Sequence, residues 1–346
     1  MDDELNITSN NSWQSKKYIY LDWNVYKYLS EPRQDKRNID VDMLNLIKKL
    51  KSIYIFPYSE GHIKDRANKY SGEHREQVEK DFAFAETIND RYLLIPNSMI
   101  SDSNVAKGMS EIVIAKQSML EYFDAFIDRP KGEFTNTNSV QFENFTINKE
   151  EINEDNPFYE FLANHGWEMN PSNLNVFLDE MLHFIFDDVS IYKKFRSYVK
   201  KLDSEKILNQ PMEFNARVLT DRLLYYMCPM LDSMDDDEEK LSGKWKGICH
   251  RWFSMSGSNI TEEQLLKEGY ALLDFHPLFN DKLKKGKNTL DNIIRDGSHC
   301  YYASRAKYFV SEDDKTRKKV KFMYKAFGIK TRVCSEEEFL KNVSVA

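Results

Sequence analysis

The octapeptide Tyr18-Ile19-Tyr20-Leu21-Asp22-Trp23-Asn24-Val25 constrains the fold more than any other stretch of this chain. Its first four residues are aromatic or branched and read as a buried strand. They stop on an acid, and helical spacing of apolar residues begins at once. A carboxylate at the carboxyl end of a strand stands where open α/β sheets bind ligands. Asp is also a good helix N-cap, so Asp22 carries chemistry only if other acids join it.

The same grammar repeats nearby. Residues 40–51 have helical spacing, and Ile53-Tyr54-Ile55-Phe56 reads as a second strand stopping at Pro57. Ser59 then stands as N-cap of a helix running toward Tyr70. Strand, helix, strand, helix predicts an α/β fold with a central parallel sheet. The pattern returns late in the chain. Residues 289–305 read as a helix, 307–310 as a strand, and 315–327 as a helix ended by Gly328, a suitable C-cap. A last strand over 329–333 leads into a terminal helix, where Ser335 and Glu338 have capping-box spacing.

Between these ends, segments 73–90, 105–128, 173–201, 212–231 and 261–273 have helical periodicity, with Tyr92–Ile95 a short strand or buried turn. Polar loops fill 130–157 and 232–244, the latter holding the acidic run Asp235-Asp236-Asp237-Glu238-Glu239. The expected division is a flexible leader at 1–16, a split α/β core at 17–70 plus 289–346, and a mostly helical insertion or cap at 71–288.

Composition removes several function classes. With 41% hydrophobic, 30% charged and 13% aromatic residues, the chain reads as globular rather than disordered. No apolar run approaches the roughly 20 residues a membrane span needs. Met1-Asp2-Asp3-Glu4 lacks the layout of a signal peptide, so a cytoplasmic location is expected. Cys228, Cys249, Cys300 and Cys334 are far apart, which favours free thiols over a disulfide framework or zinc site. A net charge of −7 argues against a generally basic nucleic-acid binder but permits a local basic groove. The phosphate-binding glycine motifs of nucleotide kinases and dinucleotide oxidoreductases are absent.

Four carboxylates share one end of the expected sheet. Asp22 and Asp313 close strands; Asp65 lies six residues after Ser59, and Asp296 sits on the helix before the late strand. Gathered acids repel each other unless a cation neutralises them. Oxygen ligands suit Mg²⁺ or Mn²⁺, which activates water and stabilises the leaving oxygen of a phosphodiester. With a different helix phase, Glu60 replaces Asp65 as the second acid. Lys282, Lys284, Lys285 and Lys287, and Lys315, Arg317, Lys318, Lys319 and Lys321, flank the acids and read either as phosphate contacts or as solvated helix faces. His299, one turn after Asp296, either touches a scissile phosphate or packs.

In order, the Tyr18–Val25 stretch, the Ser59-to-Asp65 segment, Asp296-Gly-Ser-His-Cys-Tyr-Tyr-Ala303 and Phe-Val-Ser311-Glu-Asp313 resemble the motifs of PIN-domain nucleases. That family opens with a strand ending in Asp-x-Asn, continues with a Ser followed by an acid, and closes with an Asp-led helix and a strand ending in Ser/Thr-x-Asp. The resemblance covers about residues 17–70 and 289–342. It implies a PIN-like three-layer fold and a metal-dependent endoribonuclease holding Mg²⁺ or Mn²⁺. Asp22, Asp65, Asp296 and Asp313 would be the catalytic acids and metal ligands, with Asn24 and Ser311 as supporting polar groups. It also implies an RNA partner and the setting of a toxin or phage-defence effector. The large insertion leaves room for a regulatory protein partner or a homo-oligomer.

Two other readings compete. A strand followed by Asp-x-Asp opens the site of haloacid-dehalogenase-like phosphatases, but Asn24 stands where their general acid belongs. A catalytically inactive PIN-like binding module is the third reading.

Overall fold

Strand β1 (Ile19–Leu21) forms where the sequence predicts it, and all of its residues are buried. It belongs to a computed structural model that describes residues 17–67, 70–96, 112–128, 145–146, 149–152, 154, 156–169, 180, 183–185, 188–199, 201, 230, 233–254, 261–279 and 290–343. After β1 come α1 (Trp23–Ser30), α2 (Arg37–Leu50), β2 (Tyr58–Ser59) and α3 (Glu60–Ala67). Then follow α4 (Arg75–Asn89), β3 (Tyr92–Pro96), β4 (Ile112–Lys116) and α5 (Met119–Ile127). The middle of the chain holds β5 (Phe145–Thr146), α6 (Phe158–Asn164), β6 (Glu168–Met169), α7 (Val189–Val199) and α8 (Glu238–Ser254). The last elements are α9 (Glu262–Leu272), α10 (Leu290–Ala303), β7 (Tyr308–Val310), α11 (Asp314–Phe327), β8 (Arg332–Cys334) and α12 (Glu336–Val343).

The chain divides into two compact units. The first comprises Met1–Arg129, Thr261–Tyr270 and Arg295–Ala346; the second comprises Pro130–Ile260 and Ala271–Ile294. The first unit is mixed α/β. Its three-stranded sheet has the order β1-β7-β8, all parallel, with Leu21 opposite Val310 and Val310 opposite Cys334. The early strand β1 and the late strand β7 therefore pair directly.

Two expected elements differ from the sequence reading. Over 53–56 only Ile55 pairs, as a parallel bridge to Tyr18. Pro57 has no N–H to extend that ladder, and pairing resumes at Tyr58–Ser59, alongside β3. Within 105–128 the described residues hold a strand as well as a helix. Ile112-Val113-Ile114 is β-branched, and β4 pairs antiparallel with β3 from Tyr92↔Lys116 to Pro96↔Ile112. The strands of the unit are thus not all parallel.

One core joins these elements. Val25, Tyr26 and Leu29 of α1, Met43 and Ile47 of α2, and Val78, Phe82, Ala85 and Ile88 of α4 pack with Ile19, Leu21, Leu93, Val310 and Phe339. Burial of a side chain such as Phe82 is worth about 1.5–3 kcal/mol. The described residues of 75–127, placed by spacing alone in an insertion starting at 71, therefore pack within the first unit.

Helix ends follow local chemistry. Asp313 caps α11, its Oδ1 accepting from Lys315 N at 2.8 Å and Thr316 N at 3.0 Å. Gly328, at φ +68°, ends that helix in the left-handed conformation glycine favours. At α12 the capping box is reciprocal: Glu338 N donates to Ser335 Oγ at 3.1 Å and Ser335 N to Glu338 Oε2 at 2.9 Å.

In the second unit, α6, α7 and α8 carry buried Phe161, Leu162, Phe195, Leu241 and Trp245, and β5 pairs antiparallel with β6. The acidic run heads α8: Asp237 Oδ1 accepts from Lys240 N at 2.8 Å, and Asp236 pairs with Lys244 at 2.8 Å. Cys249, Cys300 and Cys334 are buried and form no disulfide. The leader at 1–16, Cys228, nearly all of 212–231 and the cluster Lys282–Lys287 lie outside the described residues. Among the described residues no helix is long and apolar enough to cross a membrane.

Candidate metal centre

Parallel pairing of β1 with β7 puts the residues that follow each strand side by side. Asp22 N donates to Val310 O at 2.9 Å, and Ser311 Oγ donates to Asp22 Oδ2 at 2.7 Å. Asp22 stands at the N-cap position of α1, yet its carboxylate makes no cap hydrogen bond. It is 7% exposed. Ser311 Oγ also accepts from Asp313 N at 3.2 Å, so one hydroxyl ties Asp22 to the start of α11.

Asp65 reaches the same place from α3. Ser59 starts that helix, its Oγ accepting from Gly61 N at 3.2 Å. The carboxylate of Asp65 meets α10 through two residues one turn apart, which share a helix face. His299 Nε2 lies 2.9 Å from Oδ2, and Arg295 Nε lies 2.5 Å from Oδ1. The Arg295 contact is one of charge, because its Nε–H finds no acceptor in hydrogen-bond geometry.

His299 is anchored from behind. Its Nδ1 lies 2.8 Å from the hydroxyl of Tyr20, which is 2.6 Å from Ser59 Oγ. His62 sits alongside, its Nδ1 accepting from Ser59 N at 3.0 Å. The proton of His62 is therefore on Nε2, which donates to Leu21 O at 2.8 Å. Gly61 makes room for this stack: a Cβ there would lie 3.0 Å from His299 Cε1.

Electrostatics separates these groups. Burial, and then the charge of His299, push His62 down to about 3, so it is neutral. Burial drives the Tyr20 phenol well up, so it stays protonated. For His299, burial pulls down, but the charge and hydrogen bond of Asp65, with Asp22 and Asp296, outweigh it and raise the imidazole. Burial lifts Asp22 above the usual carboxylate range; His299 opposes and Asp65 adds to the rise. Asp296 is lifted to about 7, first by burial, with Arg295 and His299 opposing and Asp65 and Asp22 adding.

One group of donors emerges among the described residues. Asp22, Asp65 and His299 each offer a ligand atom, and these atoms lie within 4.8 Å of one another. The set fits a divalent cation. Two carboxylates are present, one of them lifted above its normal pKa chiefly by burial, and a cation would offset the cost of its charge. The imidazole moves the preference from Mg²⁺, which favours oxygen, toward Mn²⁺ or a similar transition metal.

Comparison with known proteins supplies no family. No protein-family model matches the chain, and no curated protein or solved structure matches it.

The four acids named from the sequence take different places. Asp22 and Asp65 converge. Asp296 lies on α10 one turn before His299, partly buried and within the field of both acids, but outside the group of three. Asp313 is exposed, with one carboxylate oxygen accepting from its own helix, and is also outside the group. Glu60 is buried and pairs with Lys64 at 3.4 Å, rather than joining Asp22. Asn24 is exposed. Of the late basic cluster, Arg317 Nη1 donates to Ser311 O at 2.5 Å and Lys319 is buried near the Tyr270 ring. Lys315, Lys318 and Lys321 face solvent.

Sequence reasoning missed Arg295, Tyr20 and His62. Only Arg295 carries a signal, its spacing of one helical turn from His299. Tyr20 and His62 look like ordinary core residues in the sequence.

Proposed function

We propose that the chain is a metal-dependent endoribonuclease of PIN-like fold, hydrolysing phosphodiesters at the Asp22–Asp65–His299 centre. One observation carries this reading: ligand atoms from the end of β1, from α3 and from α10 lie within 4.8 Å of one another. The strand-end positions of Asp22 and of Ser311-Glu312-Asp313 accord with the resemblance noted in the sequence. A toxin or phage-defence setting follows from that resemblance alone.

Asp22 and Asp65 would hold the ion, Mn²⁺ in preference to Mg²⁺, with His299 as third ligand once metal binding displaces its proton. A bound ion of this kind supplies activated water and neutralises the leaving oxygen. The protein's own part is placement. Ser311 aims the Asp22 carboxylate, Arg295 braces Asp65, and Tyr20 sets the plane of the His299 ring. Asp296, partly buried and one helical turn before His299, stands beside the centre as a candidate proton acceptor.

The test is incubation of the purified chain with end-labelled single-stranded and hairpin RNA in Mg²⁺, Mn²⁺ or EDTA. The expected result is cleavage in Mn²⁺, weaker cleavage in Mg²⁺ and none in EDTA, with loss of activity in Asp22→Asn and Asp65→Asn. Undiminished cleavage by both variants overturns the site. Turnover of a small phosphomonoester with an aspartyl-phosphate at Asp22 replaces the nuclease reading with the phosphatase one.

A further inference from the structure

A cleft of about 440 Å³ in the first unit is lined by Trp23, Asn24, Lys27, Ser30, Arg66 and Phe84, among others. Its volume falls in the range of about 300–1,000 Å³ typical of small-molecule sites. Its location follows from the chain: Trp23 comes directly after Asp22, and Arg66 directly after Asp65. Trp23 at the start of α1 and Arg66 within α3 thus each follow an acid of the centre and line the cleft.

Trp23 is partly buried and held on edge by Phe82, at 6.0 Å and 78°, and by His62, at 6.5 Å and 73°. Arg66 lies over the indole, its Cζ 6.0 Å from the ring centroid. Its Nη2 pairs with Asp81 at 2.9 Å, while its Nε–H is shielded from solvent and has no acceptor. A buried N–H left in this state is costly, and it belongs to a side chain that lines the cleft.

Charge selects the kind of ligand. Lys27 and Arg66 are matched in the lining by Glu31 and Asp81, so the cleft lacks the positive excess of a phosphate site. A flat, uncharged ring bearing hydrogen-bond acceptors suits it, and both aromatic faces and guanidinium planes stack nucleobases. We propose that this cleft is a nucleobase subsite, in which one base of a single-stranded RNA substrate stacks on the Trp23–Arg66 platform while its backbone crosses the acids. This rests on the nuclease reading for the identity of the strand.

The test uses the full chain, a phosphorothioate-linked, fluorescein-labelled RNA decamer in Mn²⁺ buffer, and the same strand with abasic sites, read by fluorescence anisotropy. Trp23→Ala is expected to weaken binding of the intact strand about 5- to 150-fold, the range for loss of one stacked base, and Trp23→Phe to retain it. Ser30→Trp, which fills the cleft from the exposed end of α1, is expected to weaken it similarly and carries the test if Trp23→Ala fails to fold. All variants should bind the abasic strand as the wild type does. The proposal is overturned if Trp23→Ala and Ser30→Trp bind the intact strand normally, if they lose the abasic strand equally, or if the wild type binds neither. Cleavage of the same strand with ordinary phosphodiester links, by wild type and Asp22→Asn, is scored separately. A strand cleaved normally but bound without dependence on Trp23 removes the subsite and leaves the nuclease. A strand bound through Trp23 but never cleaved does the reverse.

Discussion

His299 Nε2 lies 2.9 Å from Asp65 Oδ2, joining two residues 234 positions apart. That contact fixes α10 against α3 at the end of β1, and it turns two acids into a centre with a third donor.

Asp22→Asn separates chemistry from packing. The amide keeps an oxygen for the Ser311 hydroxyl and removes a carboxylate that burial holds above its normal range. Metal-dependent cleavage should fall by at least about 100-fold, the upper end of what even indirect metal contacts cost. The melting temperature should not fall. A large loss of stability with proportionate loss of activity would assign Asp22 to the framework instead.

Ser311→Ala removes one hydroxyl with two duties, donor to Asp22 and acceptor from Asp313 N. Stranding such partners costs about 1–3 kcal/mol, measurable by urea unfolding. As a positioning residue its loss should lower metal-dependent activity by about 10–100-fold. Thr at 311 should restore most of both.

Gly61 and Gly297 predict opposite outcomes. A Cβ on Gly61 would meet the His299 ring at 3.0–3.2 Å, so Ala there displaces a site ligand while gaining up to about 1 kcal/mol of helix propensity. Activity should fall about tenfold or more, since small misplacements are costly in catalysis, with stability little changed. A Cβ on Gly297 would lie 2.5 Å from Lys267 O, a backbone atom that cannot step aside. Gly297→Ala should therefore destabilise by about 1–3 kcal/mol, seen as a lower melting temperature.

Glu312 sets an acid limb. Burial pushes its carboxyl up, but hydrogen bonds from Lys36, Arg33 and Glu336 N outweigh this and hold it at about 2, below its usual 4.5. A depressed folded-state pKa stabilises fully above the unfolded value. The contribution is lost as pH falls from 4.5 toward about 2. Glu312→Gln should flatten the stability profile in that window and cost about 1–3 kcal/mol at neutral pH. Denaturant melts at a series of pH values would show it; an unchanged acid limb would locate the dependence elsewhere.

What the sequence determined by itself was local. The stop of β1 at Asp22, the Ser59 cap, the Gly328 terminus and the Ser335–Glu338 capping box are each written within a few residues, because a strand's burial and a helix's unpaired groups are answered by near neighbours. Asp22 and Asp65 were legible as candidates for the same reason. Tertiary structure decided what those acids do. Asp313 turns one oxygen to its own helix, Asp296 stands beside the centre, and His299 enters it with Arg295 and Tyr20 behind. It also decided that Ile112–Lys116 is a strand, since pairing with β3 prevails over local spacing. No local pattern encodes these outcomes: a carboxylate's partner depends on which distant segments the core brings within hydrogen-bond reach, and here those segments come from opposite ends of the chain.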